Sequence, residues 1–382
     1  MHTSRMRGRR CPANGSARRD KLTKAMDLAP LEGKRVLITG GTGSLGKVLL
    51  HRLLSGSAGA VAKIIVFSRD EAKQHALRVE YLHRGAATDE IIYQNFARLL
   101  EFRIGDVRDF HAVAAALRGA DVVFNAAALK QVPTCEYFPF EAVSTNICGP
   151  ENIVRAIRDL HLPVETVIGI STDKAVLPVN VMGMTKSIQE RIFARANLDL
   201  PDTRFALVRY GNVLASRGSV IPLFHEQIRA GGPVTITDWR MTRFLLDLNE
   251  AVDVVLAATA GANPGETYIP RVPAALIADV AKCLIGDRQI KTVATGIRPG
   301  EKLHECLVSA EEAVRTIQRG AYYVIAPILP ELRRPEAMTG PLLETEYLSS
   351  GDVMTVEETR ALLVERRLMV EDRPQMEGEF LR

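Results

Sequence analysis

Between Arg35 and Arg209 six short apolar runs alternate with stretches of helical periodicity, and this alternation restricts the chain more than any other feature of its 382 residues. The runs are Arg35 to Thr39, Lys63 to Phe67, Leu100 to Ile104, Asp121 to Asn125, Thr166 to Ile170 and Phe205 to Arg209. Most of them are continuously apolar rather than alternating, so these predicted strands are covered on both faces. That is the signature of a parallel sheet with helices on either side. The fold class read from the sequence is therefore α/β, a doubly wound parallel sheet. Ligands of such sheets bind beyond the carboxyl ends of the strands.

Past Asn212 the pattern loosens. Glycine and proline interrupt it at Gly218, Pro222, Gly231-Gly232-Pro233, Pro264-Gly265, Pro299-Gly300 and between Pro327 and Pro341. This punctuation suits a smaller unit lying over the ligand edge of the sheet. The division expected is a basic extension over residues 1–29, a nucleotide-binding unit over 30–212 and 247–273, a substrate unit over 213–246 and 274–335, and a C-terminal segment over 336–382. The helix containing Asp253 to Ala260 is expected to return to the first unit.

The formal charge of +4 is unevenly distributed. Residues 1–25 hold six Arg and two Lys against one Asp, which leaves the remainder mildly acidic. A basic leader, or a start at Met26, explains this better than a nucleic-acid or membrane partner. No apolar run approaches the ~18 residues of a spanning helix, so a cytoplasmic protein without a membrane partner is expected. Five cysteines occur without a CxxC or a histidine at ligand spacing, and neither a disulfide framework nor a metal site is indicated. Only Cys135 falls near the motifs that follow.

The first strand runs into Gly40-Gly41-Thr42-Gly43-Ser44-Leu45-Gly46, with glycines at i, i+3 and i+6, and then into a helical segment. Glycine permits a tight turn and close approach of the backbone to a pyrophosphate, whose charge then faces the amide-rich start of the helix. After the second strand, NAD would call for an acidic residue on its ribose. The chain has Ser68-Arg69 with Lys73 a turn later, a set suited to a 2′-phosphate, so NADP is favoured over NAD unless Asp70 turns inward. Asp106 after the third strand would meet the adenine amino group, with Val107 and Ala127 completing the cofactor-facing set. The cap of the following helix falls more naturally to Asp109.

These residues carry a resemblance. The glycine loop, Asn125-Ala-Ala-Ala128, Thr145-Asn146 and Lys186 four residues after position 182 resemble the extended short-chain dehydrogenases/reductases. More narrowly, Ala128–Val132, Ser171–Ala175, Arg209–Pro222, Met241–Phe244 and Arg298–Lys302 are similar to the C5-inverting UDP-N-acetylglucosamine 4,6-dehydratases of capsule and glycosylation pathways. The likeness runs from about residue 33 to 325 and implies a homo-oligomer acting on a UDP-sugar. In that family NADP oxidises C4, which acidifies the C5 proton; water leaves across C5 and C6, the hydride returns to C6, and C5 is reprotonated on its other face.

The resemblance assigns Asp173 as the acid for the departing hydroxyl and Lys174 as the base for H5. Enclosure would have to raise the former and lower the latter toward neutrality. It also implies Arg243 and Arg298 for the diphosphate, Glu301 for the uridine ribose and Asn212 for the phosphate side, with Lys130 and Arg217 on the pocket wall. Met182 stands where most relatives carry a proton-exchanging tyrosine, and a thioether cannot replace it. Deprotonation of the C4 hydroxyl then falls to Lys186 through a water or a ribose hydroxyl, or to the Asp173/Lys174 pair with Thr172 as relay. Pro150, inside a predicted helix, should kink it. A UDP-sugar 4-epimerase, which returns the hydride to C4, and a non-catalytic NADP-binding regulator are the competing readings.

Overall fold

The computed structural model describes residues 29–84, 95, 96, 98–214, 219–335 and 338–372. Arg217 and most of the basic extension lie outside the described residues.

Six parallel strands, β1 (Arg35–Thr39), β2 (Lys63–Ser68), β3 (Leu100–Ile104), β4 (Val122–Asn125), β5 (Thr166–Thr172) and β6 (Arg204–Tyr210), lie side by side in a nine-stranded sheet, with β3 at its edge. Their order, β3-β2-β1-β4-β5-β6, reverses direction between β1 and β4, each of which pairs in parallel with the other. Side chains alternate across the sheet. Val36 and Ile38 enter the core on one face, while Leu37 enters the core on the other. The first core is closed by α1 (Ser44–Leu54), where Leu49, Leu50 and Leu53 are fully buried, each contributing about 1.5–3 kcal/mol of transfer free energy. Beside it lies α2 (Glu71–Arg84).

On the opposite face, α3 (Phe110–Leu117) is capped by Asp109, whose carboxylate accepts from the amides of His111 and Ala112. Two short helices, α4 (Val132–Tyr137) and α5 (Pro139–Val143), lead into a π-helical turn over Ser144–Cys148 and then α6 (Gly149–Asp159). The kink expected at Pro150 is resolved by this turn. A new helix begins at Gly149, so Pro150 sits in its first turn, where the missing amide has no intrahelical partner to lose. The long α7 (Val181–Asp199) completes this layer and is capped by Asn180.

The remaining chain builds a second layer. Strand β7 (Asn212–Val213) precedes α8 (Val220–Arg229), β8 (Val234–Ile236) and β9 (Thr242–Leu246). Helix α9 (Leu248–Gly261) returns to the large sheet, where Asp253 pairs with Arg52 of α1 at 2.9 Å. It feeds β10 (Thr267–Pro270), which extends the sheet parallel to β6. Strand β11 (Ala274–Leu276), α10 (Ile277–Ile285), β12 (Thr292–Ala294), β13 (Cys306–Val308) and α11 (Ala310–Ala313) follow. The small pairings are β11-β9-β7, β12-β8, and β13 with β16 (Tyr347–Leu348). A separate core between α8, α10 and α12 (Val356–Glu365) contains Phe224, Leu284 and Leu363.

Two features depart from the division expected from sequence. The hairpin β14 (Thr316–Arg319) and β15 (Tyr322–Ile325), placed with the substrate unit, pairs with β10 and completes the large sheet. The segment past residue 335 is not separate either, since β16 and α12 pack into the second layer and Arg366 bonds to Glu250 at the start of α9. Long-range pairing and burial of a few apolar side chains decide both placements, and neither leaves a local pattern. No helix among the described residues is long and apolar enough to cross a membrane.

Candidate active site

Beyond the carboxyl ends of β1, β2 and β4, at the reversal of strand order, a cleft of about 210 Å³ is lined by Gly40, Thr42, Ser68, Arg69, Lys73, Asp106, Val107 and Ala127 among others. Its floor is backbone. Gly40 has φ +65°, and a Cβ there would lie 2.8 Å from the Ala127 backbone; one at Gly46 would lie 2.5 Å from the Cα of Gly41. These glycines bring loop and helix together, which no side chain would allow. Gly43 is the N-cap of α1, so the amides of Ser44, Leu45 and Gly46 lie in its first turn, without intrahelical acceptors. The cradle fits a dinucleotide pyrophosphate.

At the rim, Thr42 and Ser68 share a 2.9 Å hydroxyl contact. Asp70 does not turn toward the cleft alone: it accepts from the Lys73 amide and pairs with Lys73 Nζ at 2.5 Å, and the Lys73 side chain holds its carboxyl below the usual range. Arg69, more than half exposed, is 3.7 Å from Asp106. Asp106 lines this cleft and accepts from the Arg108 amide at 3.0 Å and from the Arg108 guanidinium at 2.7 Å. Burial works against the charge on Asp106, but the bonds to Arg108 prevail and its pKa falls.

A second cleft, about 200 Å³, lies under the second layer and is lined by Asn212, Ser219, Phe224, Arg243, Arg298 and Glu301 among others. Three of its buried oxygens, Asn212 Oδ1, Ser219 Oγ and Glu301 Oε2, have no hydrogen-bond partner among the described residues. A buried polar atom without a partner costs about 1–3 kcal/mol, so a polar ligand is the natural complement of this cleft. Arg298 is exposed at its rim. Arg243 is buried and donates to the carbonyl oxygens of Thr242, Leu303 and Lys302, an engagement unforeseen for a residue assigned to a diphosphate. Lys130 is exposed and lines neither cleft.

At the end of β5 the chain turns through a short 3-10 helix over Asp173–Ala175. Asp173 is fully buried; its Oδ1 accepts from the Thr172 hydroxyl at 2.8 Å and from Lys174 Nζ at 3.0 Å, while its Oδ2 has no partner among the described residues. Gly211 faces that free oxygen, and a Cβ there would come within 3.3 Å of it. Lys174 also lies 3.4 Å from Glu305, which in turn is 3.6 Å from Arg243. The sequence expectation that Lys174 has a lowered pKa is corrected here. Burial does push the ammonium down, but Asp173 and Glu305 outweigh it and the net direction is upward. The resting group is an ammonium between two carboxylates.

Lys186 is buried on α7 and donates to the Ile170 carbonyl at 2.7 Å and to Gln189 at 2.8 Å; burial lowers it to about 8, against an opposing pull from Glu190. Met182 packs with Cys135 and Ala142 in a small apolar cluster. Burial pushes the Cys135 thiol up to about 11, so it is an inert packing group. Next to Met182, a Cβ on Gly183 would collide with the Lys174 carbonyl, so glycine lets α7 begin against the turn. Asn146, on the π-helical turn, bonds to both backbone groups of Leu129 and to Thr185, fixing the segment after β4 to α7. Glu305, Ser219 and Gln189 were missed from sequence; Glu305 lies just past the Arg298–Lys302 run, and no spacing singles it out.

Residues 36–327 match the family described as polysaccharide biosynthesis protein. The chain belongs to this family. A UDP-glucose 4-epimerase of Rickettsia bellii is 44% identical to it over 297 residues, 76% of this chain and 82% of that protein. The protein of the same name from Rickettsia typhi is 43% identical over 299 residues, with the same coverage. Among solved structures, Pen from Bacillus thuringiensis matches with a TM-score of 0.78 at 33% identity, covering 89% of this chain and 99% of that one. The dTDP-glucose 4,6-dehydratase DesIV from Streptomyces venezuelae, with NAD and TYD bound, gives 0.58 at 21% identity over 70% of this chain and 86% of that one, a likeness of fold. The polysaccharide biosynthesis family member described here thus has the doubly wound fold of the extended short-chain dehydrogenases/reductases.

Proposed function

We propose that this protein is an NADP-dependent enzyme that removes water from UDP-N-acetylglucosamine across C5 and C6 and inverts C5, yielding a UDP-4-keto-6-deoxy-L-hexosamine for polysaccharide or glycan assembly. The observation that carries this reading is the buried Asp173–Lys174 pair at the end of β5, with Asp173 Oδ2 lacking a partner among the described residues. A simple epimerisation at C4 has no need of two further proton-transferring groups.

The glycine cleft would hold the dinucleotide, with Arg69 and Lys73 toward a 2′-phosphate, and the second cleft would hold the UDP portion against Asn212, Arg298 and Glu301. When bound, the cofactor supplies the acceptor for hydride at C4 and its donor at C6. The protein's own residues handle protons. Passage of one proton along the 3.0 Å contact from Lys174 to Asp173 turns the resting ion pair into a carboxylic acid and an amine. The amine removes H5, acidic beside the C4 ketone, the acid protonates the departing 6-hydroxyl, and a solvent-derived proton returns to the opposite face of C5. Thr172, bonded to Asp173, can reverse its hydroxyl to accept when the carboxyl is protonated. Lys186, already lowered to about 8, is the group nearest in proton affinity to the C4 deprotonation that Met182 cannot perform.

The names of the Rickettsia relatives favour a second reading, UDP-glucose 4-epimerase. Incubating the full chain with NADP and UDP-N-acetylglucosamine in D2O separates the two. Dehydration gives a product lighter by one water and carrying solvent deuterium at C5, whereas an isomer of unchanged mass would overturn the proposal. Tight NADP binding with no turnover of any UDP-sugar would leave a non-catalytic role.

A further inference from the structure

Glu305 is the least conspicuous member of the buried cluster at the end of β5. It is almost fully buried, comes from the second layer, and reaches Lys174 of the first. Its backbone is held firmly: the Glu305 amide donates to Ser349 Oγ at 2.9 Å, the Ser349 amide donates to the Glu305 carbonyl at 2.9 Å, and Ser349 shares a hydroxyl contact with Thr242 at 2.7 Å. Thr242 in turn bonds to the His304 ring at 2.8 Å. A carboxylate with a fully fixed backbone is aimed at Lys174 while its second oxygen, Oε2, lacks a partner among the described residues. A buried carboxylate oxygen without a protein donor costs about 1–3 kcal/mol, so the geometry that holds Glu305 toward Lys174 is kept against that cost.

We infer that Glu305 is a positioning residue that clamps Lys174 between two carboxylates and thereby sets the point at which its amine becomes available. The charged groups facing Lys174 are Asp173 on its own turn, Glu305 and Arg243 from the second layer, and Lys302. The two carboxylates favour the ammonium, and the two cations oppose it. Asp173 is the partner to which the proton must pass, so Glu305 is the carboxylate that holds it back, and Arg243, 3.6 Å from Glu305, tempers that hold. The second layer therefore governs the proton state of a residue on the first. This rests on the reading that Lys174 is part of the reactive site.

The test needs no substrate. Trace labelling of the full chain with an amine-reactive anhydride across a pH series, read by mass spectrometry on the peptide containing Lys174, reports the pH at which that amine is half available. In Glu305→Gln the midpoint falls by about one pH unit, the size set by losing one opposite charge at this range. Glu305→Asp, which keeps the charge, restores at least half of that fall. Arg243→Met, which removes the tempering cation, moves the midpoint upward. An unchanged midpoint in Glu305→Gln overturns the inference, as does a downward move in Arg243→Met. Either result leaves the dehydration reading standing. Loss of dehydration chemistry with a displaced midpoint does the converse.

Discussion

The cleft over the glycine loop has Gly40 and Gly105 in its wall beside Ser68, Arg69 and Asp106, whereas the cleft beside Arg243 has no glycine among its described lining residues, which run from 212 to 301. In the first, shape comes from what is missing: a Cβ at Gly40 or Gly46 would strike backbone. In the second, the wall carries oxygens of Asn212, Ser219 and Glu301 that have no donor among the described residues. A backbone that can be approached suits a ligand common to many proteins, because amides recognise phosphate regardless of sequence. A wall of side chains suits a ligand that must be told from its neighbours. The Asp173–Lys174 turn belongs to the first layer by chain position, yet through Glu305 it depends on the second.

The strongest way to break this contrast is at the turn itself. Asp173→Asn or Lys174→Ala should lower turnover by roughly 10²–10⁴-fold, the usual worth of a proton-transferring group, while dinucleotide affinity measured by fluorescence titration stays within a few-fold. Equal losses in both would merge the turn with the glycine cleft. Next in size is Gly40→Ala, where a positive φ and a 2.8 Å approach to Ala127 combine. Strain of about 1–3 kcal/mol is expected, read as a lower Tm and a dinucleotide Kd weakened by at least about tenfold. An unaffected Kd would show that the loop tolerates a methyl group and that the cradle is not set by glycine.

How much of this was legible in the sequence depends on which interactions did the placing. The six parallel strands were read to within two residues at each end, and for all but the edge strand β3 the reason is that burial on both faces writes a continuous apolar run. Asp109 as a cap was readable for the same reason, being set by its immediate neighbours. The β14–β15 hairpin was not, since its partner β10 lies far back in the chain and its own residues carry no distinctive period. Nor was the proton affinity of Lys174, which depends on a glutamate more than a hundred positions away. Met182 stands in the sequence as a gap in a reactive site, and its contacts with Cys135 and Ala142, which leave no sequence pattern, appear only in the fold.

Smaller effects sharpen the same contrast. Arg69 stands more than half exposed at the rim of the glycine cleft, so Arg69→Ala should reduce the preference for NADP over NAD by roughly tenfold, measured as a ratio of Kd values, with little change for NAD alone. If both affinities fell together, the arginine would be holding the loop and not a 2′-phosphate. Smallest of all, Met182→Leu conserves volume in the apolar cluster and should cost less than about 1.5 kcal/mol, with turnover within threefold of the parent. A loss as deep as that of Lys174→Ala would place the thioether in the reaction after all.

The π-helical turn at Ser144–Cys148 has a consequence for anyone engineering this protein. Such a turn holds one more residue than an α-helical one, and successive residues of a helix point about 100° apart. Shortening it by a single residue would swing Asn146 off Leu129 and Thr185. A variant of that kind would have the loop after β4 untied from α7.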